Sequence, residues 1–340
     1  MKAVFWNNHY FSVDFYQFFD PTEWMITDDI NVYINYSSNY KLSMIGSTYI
    51  LHSGVDPDIS GLLDQLLPVS DKVIVFDSEL HSHYLDPIFK YRDSKITWVI
   101  PGMVHGIDNT IFNNQWFRAE IELYRQPQIK PELALLQPHC AKPMYFDALL
   151  GAGKAHKDFV AEQIRADGLE DKIILRHGYK NFIYPAEVTA QPAVYEPINY
   201  KGVTTSLIPV VPLDIYNESA YSIVGETSYD NRWVFLTEKT AKCFMGRRLF
   251  VMFAGQHYLK AIRDLGFKTF DEVIDESYDL IEDNQTRWNM AYDQVKYLCS
   301  QPQQPILDQI KSIVDYNYDL MWSTEWRDIL DKQVMEQVAR

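Results

Sequence analysis

Short apolar runs broken by polar turns recur along the chain, and their spacing predicts alternating strands and helices. Lys2–Trp6 is a first strand, followed by Asn7, Asn8, His9 and an aromatic stretch, Tyr10–Phe19, of helical or irregular spacing. Asn31–Tyr36, Ser47–His52, Lys72–Phe76 and Ile96–Ile100 are rich in β-branched and aromatic residues and read as further strands. Ile59–Leu67 and the segment around His81 and His83 have helical character. Strand, loop, helix and strand at this spacing argue for a parallel sheet with crossover helices. Ligands of such sheets gather beyond the carboxyl ends of the strands. This reading puts His52, Asp56, Asp58, Asp77 and Glu79 there.

Gly102–Pro138 is less regular. Gln115-Trp116-Phe117-Arg118 suggests a loop with an aromatic tip, and Pro127, Pro131 and Pro138 punctuate a connection between domains. A second strand–helix series begins at Lys142–Leu150, passes through Gly151–Asp158 into a helix over about Phe159–Asp167, and continues with a strand at Lys172–Leu175. Pro185–Gly202 is polar and irregular, and Leu207–Val211 is a strand or an extended segment. Tyr221–Val224 is an apolar run ending at Glu226. After a polar loop, Val234–Leu236 leads into Thr237-Glu238-Lys239-Thr240, a helical segment, and a second apolar run, Leu249–Phe253. Ala291–Leu298, Ile306–Leu320 and Trp322–Arg340 have helical spacing.

With 340 residues, 47% of them hydrophobic, there is apolar material for a large core, and the length suggests two domains. Lys and Arg number 31 against 46 Asp and Glu, a formal net charge of -15. Such a chain is expected to be soluble and is not steered as a whole towards polyanions. Cys140, Cys243 and Cys299 match no zinc spacing; free, buried thiols in a reducing cytosol are expected. The opening MKAVFWNNHY lacks a signal-peptide layout, and no apolar run approaches the ~20 residues of a membrane span. A cytoplasmic protein with no membrane span is the expectation.

Two stretches carry candidate chemistry. Gly151-Ala152-Gly153-Lys154 lacks the glycine spacing and the Lys-Ser/Thr ending of a P-loop, which argues against triphosphate hydrolysis. Glycines after a strand, with Lys154, His156 and Lys157 at the following helix start, still suit a diphosphate; a solvated basic turn is the alternative. Thr237-Glu238-Lys239 lies where an apolar run gives way to a helix. It is either an ordinary cap with an acid in the first turn, worth about 0.5–2 kcal/mol, or a ligand site. In the second case Glu238 accepts hydrogen bonds from a ribose diol and Lys239 supplies a point charge for phosphate. No metal-ligand pattern is evident; Asp56-Pro57-Asp58 has the Asp-x-Asp form, with a proline between. Tyr221 is either a base-stacking aromatic or core, Arg247 and Arg248 are expected at the surface, and Phe267, Phe270 and Tyr278 are expected to pack.

Gly225-Glu226-Thr227-Ser228 and Phe235-Leu236-Thr237-Glu238-Lys239 resemble the F-E-N-S and Y-V-T-E-K segments of the nucleotide-sugar-binding region of the α1,3/4-fucosyltransferases. The continuation LGFKTFDEVIDESYDLIED, with Arg287 after it, resembles glycosyltransferase-like proteins of phages and bacteria. The likeness covers about the last half of the chain. It implies an α/β protein of the GT-B kind, with two Rossmann-like domains whose parallel sheets face a cleft. Residues 1–137 would hold the acceptor, 138–302 the sugar nucleotide, and the helices of 303–340 would cross back. It also implies inverting, metal-independent transfer from a UDP- or GDP-sugar, with no separate cofactor.

In that scheme Glu238 takes the ribose and Lys239 the diphosphate. Lys157, with Lys154 sharing, stands in for an arginine where the phage-type relatives read His-Arg and this chain reads His156-Lys157. Glu226 orients the donor sugar or Lys239, or is a structural acid closing the loop. The catalytic base would come from the first domain, where Asp56 and Glu79, with His52 behind them, are the candidates. The acceptor would be hydroxymethylated cytosine in phage DNA or a surface glycan. Lys90, Arg92, Lys95, Trp98, Trp116 and Arg118 are the residues that could line a DNA cleft. A non-catalytic nucleotide- or sugar-binding protein on the same fold is the alternative from another class.

Overall fold

The structure is a computed structural model. It describes residues 40–45, 48–53, 63–64, 67–68, 72–77, 88–92, 95–112, 114–151, 153–178, 198–326, 332–333 and 336. The expected strands at Lys2–Trp6 and Asn31–Tyr36 lie outside them, as do the stretch Tyr10–Phe19 and the histidines His81 and His83.

The fold is mixed α/β, built on two sheets. The first has five strands in the order β1-β2-β3-β4-β6. These are β1 (Tyr40–Ile45), β2 (Thr48–Ser53), β3 (Lys72–Asp77), β4 (Ile96–Ile100) and β6 (Thr110–Phe112). β1, which the sequence pattern did not reveal, forms an antiparallel hairpin with β2; β2, β3, β4 and β6 run parallel. β4 is buried along its whole length, as an interior parallel strand must be when both its faces are covered.

The second sheet is parallel throughout, in the order β13-β11-β7-β8: β7 (Met144–Leu150), β8 (Ile173–His177), β11 (Ser219–Gly225) and β13 (Leu249–Phe253). Two small ribbons complete the strands. β9 (Ile198–Tyr200) pairs with β10 (Val203–Thr205), and β12 (Trp233–Phe235) pairs antiparallel with β5 (Gly102–Val104).

The helices are α1 (Gln115–Arg125), α2 (Ala155–Ala166), α3 (Leu213–Glu218), α4 (Glu238–Met245), α5 (Tyr258–Asp264), α6 (Asn284–Ser300) and α7 (Gln303–Trp322). None is long and apolar enough to cross a membrane, among the described residues. The expected aromatic-tipped loop at residues 115–118 is instead the first turn of α1, with Trp116 and Phe117 buried. Phe117 packs against Phe112, Phe244, Phe267 and Trp326, so α1 joins the first sheet to α4 and to the end of α7. Most of the buried apolar residues from Leu63 to Trp326 form one connected cluster. Leu207–Val211 forms no strand.

Two further expectations are corrected. Arg248 is 4% exposed, not a surface charge: it pairs with Asp147 of β7 at 2.6 Å and donates to Ser219, Ser222 and the carbonyls of Tyr216 and Tyr221. The pair is tolerable in the core because its hydrogen-bonding groups are taken up on every side. Arg247, partly buried, pairs with Asp315 and lies over the Tyr318 ring. The three cysteines are free as expected, but only Cys243 and Cys299 are buried; Cys140 is exposed. Tyr221, Phe267, Phe270 and Tyr278 are all core residues.

Candidate functional site

The connections of the second sheet diverge at its centre. From β7 the chain passes through α2 to β8 on one side, and from β11 it passes through α4 to β13 on the other. The crevice beyond the carboxyl ends of β7 and β11 is therefore a topological switch point, where open α/β sheets bind ligands. Two helix starts face it: α2 begins five residues after β7 ends, and α4 begins at Glu238 after the loop that leaves β11. Unpaired N–H groups at helix starts favour anions there.

Glu226, fully buried, organises the loop between β11 and α4. Its carboxylate accepts hydrogen bonds from the Thr227 N–H (2.8 Å) and from the hydroxyls of Thr237 (2.7 Å), Thr240 (3.0 Å) and Tyr258 (2.7 Å). These bonds hold the loop closed. Its carbonyl is 2.8 Å from His156 Nε2. Burial first, and then Lys157 and Lys154, hold the His156 imidazole neutral, with a pKa of about 3. A neutral ring whose Nε2 meets a carbonyl oxygen must donate from Nε2. His156, fully buried and 4.9 Å from the Tyr229 ring, ties α2 to the loop. Thr237 caps α4, with its side chain accepting from the Lys239 N–H.

Three lysines lie near one another here, and two of them bond to Thr227. The Lys154 ammonium donates to the Thr227 carbonyl, and the Lys239 ammonium to the Thr227 hydroxyl at 3.0 Å. Lys239 also pairs with Glu238 at 2.8 Å and donates to the Thr237 hydroxyl at 3.3 Å. Lys157 lies in the first turn of α2, and α2 starts earlier than the expected Phe159, which is what brings Lys157 to the helix opening. Its stem runs along the end of β11: a Cβ on Gly225 would sit 2.9 Å from Lys157 Cγ and 3.1 Å from Leu150 Cδ2. Lys157 is 3% exposed, and its ammonium makes no hydrogen bond or ion pair among the described residues. Burial, then Lys239 and Lys154, lower its pKa from 10.5 to about 7. A buried ammonium without a carboxylate partner, flanked by two more ammonium groups, is an arrangement that an anion relieves.

Glu238 and Lys239 lie in the first turn of α4 and Lys242 in its last, beside α1. Burial opposes ionisation of Glu238, but Lys239 and Lys242 outweigh it and hold the carboxyl below its ordinary range. Facing this turn from α1 is Glu120, fully buried, with no hydrogen-bond partner on either carboxylate oxygen. Burial drives its pKa well above the usual carboxylate range, and Lys242, Glu238 and Lys239 are the charges that act on it. Sequence reading missed Glu120 because residues 115–118 looked like a loop. Read as a helix, Phe117, Glu120, Ile121 and Tyr124 share one face, and an acid on that apolar stripe was the available signal.

The first sheet reaches the same place. The Leu236 N–H donates to the Pro101 carbonyl at 2.9 Å, just past the end of β4 and one residue before Thr237. Because β2, β3 and β4 are parallel, His52 and Asp77 lie at that same edge of the sheet, with His52 opposite Phe76 in register. Asp56, Asp58 and Glu79 lie outside the described residues. Of the residues considered for a DNA cleft, Trp98, Trp116 and Arg118 are buried, which leaves only Lys90, Arg92 and Lys95 exposed and removes the aromatic lining. Among the described residues no group of three or more His, Cys, Asp or Glu side chains is placed to hold a metal ion. Comparison with protein-family models, curated proteins and solved structures finds no match.

Proposed function

We propose that the protein is a glycosyltransferase of the GT-B kind, which moves a sugar from a nucleoside-diphosphate sugar to an acceptor hydroxyl with inversion and without a metal ion. The observation that carries the reading is the convergence of Lys154, Lys157 and Lys239, from two helix starts, on one crevice at the switch point of the second sheet. Three ammonium groups suit the charge that builds on a departing diphosphate, the role a divalent ion fills elsewhere. As the bond from the anomeric carbon to the diphosphate oxygen breaks, the acceptor oxygen bonds to that carbon from the opposite face. The acceptor proton passes to a carboxylate of the first half, for which Asp56 and Glu79, with His52 behind them, are the proposed suppliers. Glu238, ionised beside Lys239, is the acceptor for the ribose hydroxyls.

Residues 1–137 would bind the acceptor and 138–302 the donor, with the helices after 303 crossing back, in a cytoplasmic enzyme. Of the two acceptors, a glycan is favoured over DNA: the chain carries a net charge of -15, and Trp98, Trp116 and Arg118 are inside the core. Isothermal titration with UDP, GDP and inorganic pyrophosphate tests the reading; binding of none of them ends it. A second reading, a non-catalytic nucleotide- or sugar-binding protein, draws on Lys157 standing where the resembled families have arginine, with the loss of a bidentate fork. Release or transfer of sugar from a UDP- or GDP-sugar decides between the two.

A further inference from the structure

Glu120 and Lys242 face each other from α1 and α4 without bonding to each other. Both Glu120 oxygens are buried and unpartnered, and the Lys242 ammonium makes no hydrogen bond or ion pair among the described residues. Each nevertheless acts electrostatically on the other, and Glu238, one turn before Lys242 on α4, acts on both. Unmade hydrogen bonds of this kind are costly, and an atom seated between two such groups would complete them. The atom required is specific: it must donate to a carboxyl oxygen and accept from an ammonium. A hydroxyl does both, whereas a phosphate oxygen can only accept, which leaves one carboxyl oxygen unmet, and an apolar group meets neither need.

We propose that Glu120 and Lys242, with Glu238, form a hydroxyl-binding subsite of this crevice, which receives the pentose or sugar hydroxyls of a ligand whose diphosphate lies on Lys154, Lys157 and Lys239. The proposal rests on the nucleotide-sugar reading above and adds to it two residues on adjoining helices. Burial raises the pKa of Glu120 well above the usual carboxylate range and lowers that of Lys242, so each group is held here at a cost to its charged form. The Tyr124 and Tyr216 hydroxyls, from α1 and α3, also feel the charge of Glu120. An unbonded buried carboxyl destabilises the fold, and it is kept where a ligand uses it.

The test compares the wild-type chain with Glu120→Leu and Glu120→Gln, titrated with inorganic pyrophosphate, UDP, GDP, UDP-glucose and GDP-mannose. Thermal melting is followed in parallel. Glu120→Leu is expected to melt no lower than wild type, to bind pyrophosphate within about twofold, and to lose about tenfold or more for the nucleotides that bind wild type. Glu120→Gln, which still donates and accepts, is expected to recover part of that loss. Unchanged nucleotide binding in Glu120→Leu, an equal loss for pyrophosphate, or a fall in melting temperature each overturns the proposal while leaving the nucleotide reading in place. Failure of wild type to bind any of the five ligands removes both.

Discussion

Lys157 offers the sharpest test of the electrostatics. Its pKa falls from 10.5 to about 7, chiefly through burial, and at neutral pH that corresponds to a penalty of about 4–5 kcal/mol on the folded state. Lys157→Met keeps most of the stem that packs against Gly225 and Leu150 and deletes the ammonium. If half of the penalty is recovered, the variant gains about 2 kcal/mol, a rise of roughly 3 °C in Tm for a chain of this size. The sign of the pH dependence follows from the folded-state pKa lying below the unfolded one. Between about 7 and 10.5 the unfolded chain holds the proton more readily, so wild-type stability climbs with pH across that window. The variant lacks this climb. Its advantage should be greatest below pH ~7 and should close on the alkaline side. The same substitution should weaken pyrophosphate binding by about tenfold or more, since the ligand would no longer neutralise a desolvated charge. Melting curves over this pH range, with and without pyrophosphate, read both effects. A variant no more stable than wild type at neutral pH, or an advantage that does not shrink as the pH rises, refutes the reasoning.

Lys239→Ala should abolish nucleotide binding by calorimetry while changing stability by less than about 1 kcal/mol, because its pair with Glu238 is part-exposed. Arg248→Ala strands Asp147 in the core and should cost about 3–5 kcal/mol, measured by urea unfolding, whether or not ligand is present. Gly102→Ala puts a Cβ 1.8 Å from the Val234 carbonyl, so it should separate β5 from β12 and weaken ligand binding together with stability. Normal melting and normal binding in that variant would show that the ribbon does not hold the loop.

The second sheet was largely legible because β13 is a continuous apolar run and β7 and β11 are mostly apolar, interrupted by Asp147 and by Ser219 and Ser222, as strands covered on both faces require. The start of α4 was legible because Thr237-Glu238 is a local capping signal. What escaped was set by distant partners. Arg248, following Gly246 and Arg247, looks like part of a surface turn; its burial depends on Asp147, 101 positions away. β1 does alternate, Tyr40, Leu42 and Met44 against Lys41 and Ser43, but over only six residues, and it is held by its hairpin with β2. α1 was obscured by aromatics that suggested an exposed tip, although Phe117 and Trp326 stack across more than half the chain. Within the site, the lysines and Glu238 could be named from their places at helix starts. That Glu226 closes a loop, and that Gly225 leaves room for the Lys157 stem where the resembled pattern has phenylalanine, needed coordinates.

The antiparallel pairing of β5 with β12 bears on how the molecule can be dissected. A fragment beginning near residue 138 would retain all four strands of the second sheet, but β12 would lose its only pairing strand among the described residues. Its backbone edge would then be open to water or to another chain, three residues from Glu238. Such a fragment should aggregate or bind weakly even with every lysine of the crevice intact. Co-expressing the earlier half as a separate polypeptide should restore it, as in a split protein whose parts reassemble through a shared ribbon.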